Sequence, residues 1–198
     1  MANVMVLGIG GSLKANSASL AALKHALAGA ADVGARTELI DVATIALPMF
    51  SPDREPDTAV RQLLEQARAA HGLIWSSPLY HGTISGSFKN ALDWLELLAD
   101  DDPPYLADKV VGLISTAGGT QALQAINTME FAVHALRAWS APQVVAVQQA
   151  WRAIDAQGRV RDPGLASQLE KLGRQVAEAA ERFAACHAEP RATVTFAA

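Results

Sequence analysis

The chain contains one cysteine, Cys186, so no disulfide can form within it, and no second cysteine or tight histidine cluster stands beside it to build a zinc framework. A single unpaired thiol points to a reducing compartment. Charge is scarce too: 18% of the residues are charged, and 16 basic against 20 acidic side chains leave a net charge of −4. That balance supplies no cationic field for nucleic acid or anionic lipid, so neither is expected as a partner. No apolar run reaches the roughly 18 residues of a membrane helix. The start, MANVMVLGIGG, has no basic segment ahead of its apolar stretch and reads as a strand rather than a signal peptide. These absences predict a soluble cytoplasmic protein with no metal centre. Apolar residues are plentiful: 51% of the 198 residues are hydrophobic, which excludes overall disorder and suffices for the core of one domain.

Those apolar residues fall into short runs separated by helical spacings. Val4 to Gly8 lacks polar alternation, as a strand buried on both faces does. From Ser17 to about Ala31, Leu20, Leu23 and Leu27 recur at helical spacing, and Thr37 to Ile40 is the second strand. Pro48, Pro52 and Pro56 make 47–56 an extended loop, after which Asp57 or Thr58 caps a helix carrying Val60, Leu63, Leu64 and Ala67. The third strand is Gly72 to Ser76, followed by a turn-rich loop, Ser77 to Ser85, and a helix through Phe88, Leu92 and Leu95 that ends near Ala99. Val110 to Ser115 is the fourth strand, and a helix follows through Leu123, Ile126, Met129, Val133 and Leu136. Pro142 precedes the fifth strand, Val144 to Val147; a small hairpin around Ala156, Gln157 and Gly158 then leads to a long helix from Pro163 to Ala185. One domain, 1–187, with a tail, 188–198, is the expectation. Five buried strands alternating with helices predict a parallel sheet covered on both faces, and ligands of such sheets bind beyond the carboxyl ends of the strands.

Three of the loops at that edge carry unusual chemistry. The first runs Gly8-Ile9-Gly10-Gly11-Ser12-Leu13-Lys14-Ala15-Asn16-Ser17-Ala18-Ser19. Its glycines permit close backbone approach, Ser12, Ser17 and Ser19 offer hydroxyls, Lys14 brings a positive charge, and a helix begins at Ser17, so it is suited to a phosphate. The competing reading is a plain turn with a serine cap. Leu13 stands where a dinucleotide fingerprint needs glycine or alanine, and no Gly-Lys-Ser/Thr follows, so a terminal monophosphate is expected rather than a pyrophosphate. The second loop, Ser77-Pro78-Leu79-Tyr80-His81-Gly82-Thr83-Ile84-Ser85-Gly86, stiffens the strand exit with proline and exposes amides at its glycines, as a grip on the polar edge of a planar ring would. His81 has no carboxylate near it in sequence and reads as structural, and Gly82 to Gly86 is not a nucleophile elbow. The third, Ser115-Thr116-Ala117-Gly118-Gly119-Thr120, is small enough for a ring to lie against its backbone.

Taken in order, G-S-L-K-A-N-S, S-P-L-Y-H-G-T-I-S-G-S-F-K-N-A-L-D-W and S-T-A-G-G resemble the NADPH-dependent FMN reductase family, over Val4 to about Val147. The resemblance implies an α/β fold, the flavodoxin-like five-stranded parallel sheet with helices on both faces. It also implies FMN as cofactor and NADPH or NADH as hydride donor, with the electrons passed on to a small-molecule acceptor such as free flavin, a quinone, an azo compound or a metal oxyanion. By the same resemblance Ser12, Lys14, Ser17 and Ser19 hold the FMN phosphate. Pro78, Leu79, Tyr80, His81, Gly82 and Thr83 meet the isoalloxazine and ribityl region, and Ser115, Ala117, Gly118 and Gly119 meet the other side of the ring. No side chain is given an acid or base role. The family usually has arginine where Lys14 stands; lysine keeps the charge and loses the bidentate fork. Family members form dimers or tetramers through the helix after the second loop, which would give Phe88, Trp94 and Leu95 partners. The competing function is a flavodoxin-like electron carrier without NAD(P)H activity, against which the modest net charge argues mildly.

Overall fold

The structure, a computed structural model, describes residues 4–188. Its elements in chain order are β1 (Met5–Gly10), α1 (Ala18–Asp32), β2 (Arg36–Asp41), α2 (Val42–Ile45), α3 (Thr58–Ala69), β3 (Gly72–Tyr80) and β4 (Thr83–Ile84). They continue with α4 (Gly86–Trp94), a 3₁₀ turn (Leu95–Leu98), β5 (Val110–Thr116), α5 (Leu123–Ala135), β6 (Trp139–Val147), α6 (Ala150–Ala153) and α7 (Pro163–Ala188). Of the expected tail, Ala188 closes α7 and the rest lies outside the described residues.

Five strands pair in parallel in the order β2-β1-β3-β5-β6, so the chain reverses direction across the sheet beside β1 and β3. This is the flavodoxin-like order, which places ligands at the carboxyl edge of the switch point. Successive residues of β1 feed opposite layers. Met5, Leu7 and Ile9 join Leu73, Trp75, Val111 and Leu113 under α3, α4 and α5, while Val4 and Val6 join Ile74, Val110 and Ile114 under α1 and α7. Helices α1 and α7 meet through glycine: a Cβ on Gly173 would stand 1.8 Å from the Ala26 carbonyl oxygen, and one on Gly29 would stand 2.1 Å from that of Glu170. Neither position has room for a side chain.

The proline-rich loop is held where α4 needs it. Asn90 accepts from the Phe50 amide (2.8 Å) and donates to the Pro48 carbonyl (2.9 Å), which also accepts from the Trp94 indole (2.8 Å).

Three expectations are corrected. The third strand does not stop at Ser76: it runs to Tyr80 and turns back as β4, pairing Leu79 with Ile84 and Tyr80 with Thr83, so part of the expected loop is a hairpin. The sixth, antiparallel strand therefore sits off the parallel path. Strand β6 starts at Trp139, before Pro142, because the register slips between Val111 and Leu113 and an edge strand tolerates a proline at such a bulge. Phe88, Trp94 and Leu95 are fully buried inside the protomer, so they cannot form a surface for a partner.

Candidate functional site

Strands β1, β3 and β5 all end at one edge, and their loops are tied together by backbone. The Gly11 amide donates to the Ser76 carbonyl at 2.8 Å, and the Gly11 carbonyl accepts from the hydroxyls of Ser85 and Ser87, the latter at 3.1 Å. A Cβ on Gly11 would fall 2.3 Å from that of Phe88, so glycine is required for the first loop to lie on α4. Ser17 caps α1 by accepting from the Leu20 amide (3.2 Å), its hydroxyl shares a hydrogen bond with that of Ser19 (3.1 Å), and the Ser12 hydroxyl accepts from the Lys14 amide (3.2 Å). The Ser76 hydroxyl donates to the Ser19 carbonyl at 2.8 Å, which fixes the helix start against β3. Ser12, Ser17 and Ser19 are buried while Lys14 is exposed, so hydroxyls lie below and an exposed cation stands at the rim. The first amides of a helix have no partner within it, and the helix dipole there favours an anion.

Beside this loop opens a cavity of about 400 Å³. Of the predicted residues, Ser12, Lys14, Ser17, Ser19, Pro78, Leu79, Tyr80, Ala117 and Gly118 line it. A Cβ on Gly118 would meet nothing within 4 Å, so the chain leaves open space there. His81, Gly82, Thr83, Ser115 and Gly119 do not line the cavity. His81 (φ 50°) and Gly82 (φ 85°) are the two central residues of the β3–β4 turn, whose left-handed backbone explains the glycine. Thr83 turns toward α5, where its hydroxyl meets that of Thr128 at 3.2 Å. Ser115 is wholly buried in β5 with its hydroxyl unpartnered, opposite Ser77 in the ladder.

The wall after β6 was not foreseen: Ala150, Trp151, Ile154, Asp155 and Ala156 line the cavity from that stretch, while Asn16 and Thr116 join it from the first and third loops. That stretch is brought in by backbone bonds to the third loop: Ala117 amide to Val147 carbonyl (2.9 Å), Gln149 amide to Gly119 carbonyl (2.8 Å) and Ala150 amide to Ala117 carbonyl (2.9 Å). The expected hairpin around Gly158 is present as a single bridge, Ile154 to Val160, with α6 ahead of it. Asp155 puts a carboxylate on the wall but keeps it occupied. The Arg159 amide foremost holds that carboxyl below the usual range, and the Arg159 side chain (2.8 Å) and the Gln157 amide (2.9 Å) add to this.

A switch-point cavity with a glycine- and hydroxyl-rich loop at a capped helix on one side and small residues on the other defines a flavodoxin-like protein, and its lining has the chemistry to take a planar ring carrying a terminal phosphate. The residues present fit FMN in particular: the anion end has three buried hydroxyls and a lysine, and the ring end has open space over Gly118. The model of the family described as NADPH-dependent FMN reductase matches residues 4–152. The chain belongs to that family and is a flavin-dependent oxidoreductase. An NAD(P)H-dependent FMN reductase of Pseudomonas aeruginosa is 34% identical over 168 residues, covering 81% of this chain and 86% of its own. The NADPH-dependent FMN reductase ArsH of Shigella flexneri is 29% identical, over 80% of this chain and 61% of its own. Among solved structures, the NAD(P)H:acceptor oxidoreductase FerB of Paracoccus denitrificans superposes with a TM-score of 0.71 at 21% identity, covering 91% of this chain and 98% of its own; that likeness bears on the fold.

Proposed function

We propose that the cavity holds FMN with its phosphate on Ser12, Ser17, Ser19 and Lys14 and its ring between Pro78–Tyr80 and Ala117–Gly118, and that the protein reduces a small-molecule acceptor with electrons from NAD(P)H. The observation that carries this reading is the cavity of about 400 Å³ shared by the three strand-end loops, with a capped helix start at its anion end. Bound FMN supplies two-electron chemistry between a nicotinamide and an acceptor. The chain's own part is to hold and expose. Buried hydroxyls and helix amides bind the phosphate, Lys14 balances its charge, and the loops' backbone meets the polar edge of the ring. Tyr80, 52% exposed, lies where a second reactant would enter. Nothing in this arrangement calls for a titrating side chain.

An exposed free thiol at Cys186 goes with work in the cytoplasm, and among the described residues no helix is long and apolar enough to cross a membrane. A second copy is the partner that best fits the groove of about 500 Å³ between α4 and α5. There Phe131 is 77% exposed beside Ile84, Leu92, Ala132 and Leu136, with Lys89, Asp93 and Glu96 around them.

Titration with FMN and with riboflavin tests the ligand. A phosphate carries about −1.5 to −2 charges, and charge-assisted hydrogen bonds contribute about 1.5 to 3 kcal/mol each, so FMN is expected to bind at least about tenfold tighter. Equal affinities would remove the phosphate from the loop.

A further inference from the structure

Trp151 is 63% exposed, yet two contacts hold it in one place. Its indole N–H donates to the Gly118 carbonyl at 3.3 Å, and the Arg152 guanidinium lies 4.6 Å from its ring centroid. Arg152 is itself fixed by donating to the Gln149 side-chain oxygen at 3.0 Å. The indole lines the cavity together with Ser17, Tyr80 and Gly118, whereas Arg152 does not. Among the described residues, Tyr80 and Trp151 are the exposed large apolar side chains on that lining; Trp139 stacks on Phe183 at 5.8 Å elsewhere, and Phe131 belongs to the α4–α5 groove.

An ordered, exposed tryptophan gains nothing for the free protein. It leaves a large apolar surface in water and gives up rotamer freedom to stay there. The arrangement is useful when a ligand covers the ring. A flat apolar face favours an aromatic or ribityl surface laid against it, and the N–H bond to Gly118 joins that face to the loop whose small residues leave space for a ring. Resting on the flavin reading of the cavity, we infer that Trp151 is a flavin-contact residue: the flat face of its indole packs against bound FMN. It stands outside the three loops that carry the family resemblance, in the stretch after β6.

Two measurements test this. In the FMN-saturated protein, NMR of the indole N–H groups, with the Trp151 signal assigned by its loss in Trp151→Phe, is expected to show nuclear Overhauser contacts between the Trp151 ring and flavin protons. Flavin titration of the variants is expected to show affinity reduced about tenfold or more in Trp151→Ala and within about threefold of the parent in Trp151→Phe, since phenylalanine keeps the flat face. Absence of those contacts in the saturated complex, parent-like affinity in Trp151→Ala, or a Phe variant as weak as the Ala variant would overturn the contact. The contacts themselves are read in the parent protein, and Trp151→Phe serves there only to assign the signal. A parent that binds no FMN would overturn the flavin reading together with the inference, whereas a parent that binds FMN without those contacts would overturn the inference alone.

Discussion

His81 stands at the tip of the β3–β4 hairpin, exposed, with a backbone φ of 50°. A general acid or base needs its ring within hydrogen-bond reach of the reacting group, and His81 lies off the cavity lining. Its work is in the turn, together with Gly82. His81→Ala is therefore expected to lower the rate of flavin reduction at saturating NADPH by less than about 100-fold, with FMN occupancy unchanged. Stopped-flow reduction of the loaded variant checks it, and a larger loss at full occupancy would make His81 catalytic. At this scale Ser12, Lys14, Ser17 and Ser19, singled out by residue type at a strand end, reach the cavity lining, and a cap such as Ser17 is a local feature. Trp151 carries no such signal, because its place depends on bonds between Ala117, Gly119 and the stretch after β6.

Elements were legible where one local pattern decides them. The buried strands β1 and β5 declare themselves as unbroken apolar runs, and α3 begins where Asp57 accepts from the Val60 amide (2.9 Å). The hairpin was not legible, since β4 has two residues and its turn is His-Gly instead of Asn-Gly, too short a pattern to separate from a loop. The start of β6 was hidden because Pro142 reads as a strand boundary unless the edge position and bulge are known. Helix α3 also supplies an electrostatic prediction. Lys109 donates to the Ala67 and Arg68 carbonyls at its end (2.7 Å each), and burial pushes the ammonium down to about 8 from its usual 10.5. Below pH 8 both folded and unfolded chains hold this proton, and the fold bears the cost of the buried charge. Between pH 8 and 10.5 the unfolded chain holds more of it, so the Lys109 contribution to stability rises with pH across that window and then levels. Thermal unfolding of the parent and Lys109→Met is expected to show the parent gaining on the variant between those values; parallel curves would contradict the burial of the charge.

For the whole molecule, the sheet order brings residues from Ser12 to Ala156 to one edge and leaves the α4–α5 groove uncovered on another. If a second copy covers that groove, Phe131→Glu places a charge at its centre, and sedimentation velocity should find an oligomeric parent and a monomeric variant that still binds FMN. A monomeric parent would contradict the interface. The central claim concerns the opposite edge: that the three-loop cavity holds a flavin open to a nicotinamide. It is tested most directly by adding NADPH, without oxygen or any other acceptor, to the protein loaded with one equivalent of FMN and following the flavin's visible absorbance. The account predicts bleaching of that absorbance on the timescale of turnover, and its return when an acceptor is added. A loaded protein whose flavin spectrum is unchanged by excess NADPH and by excess NADH would contradict it.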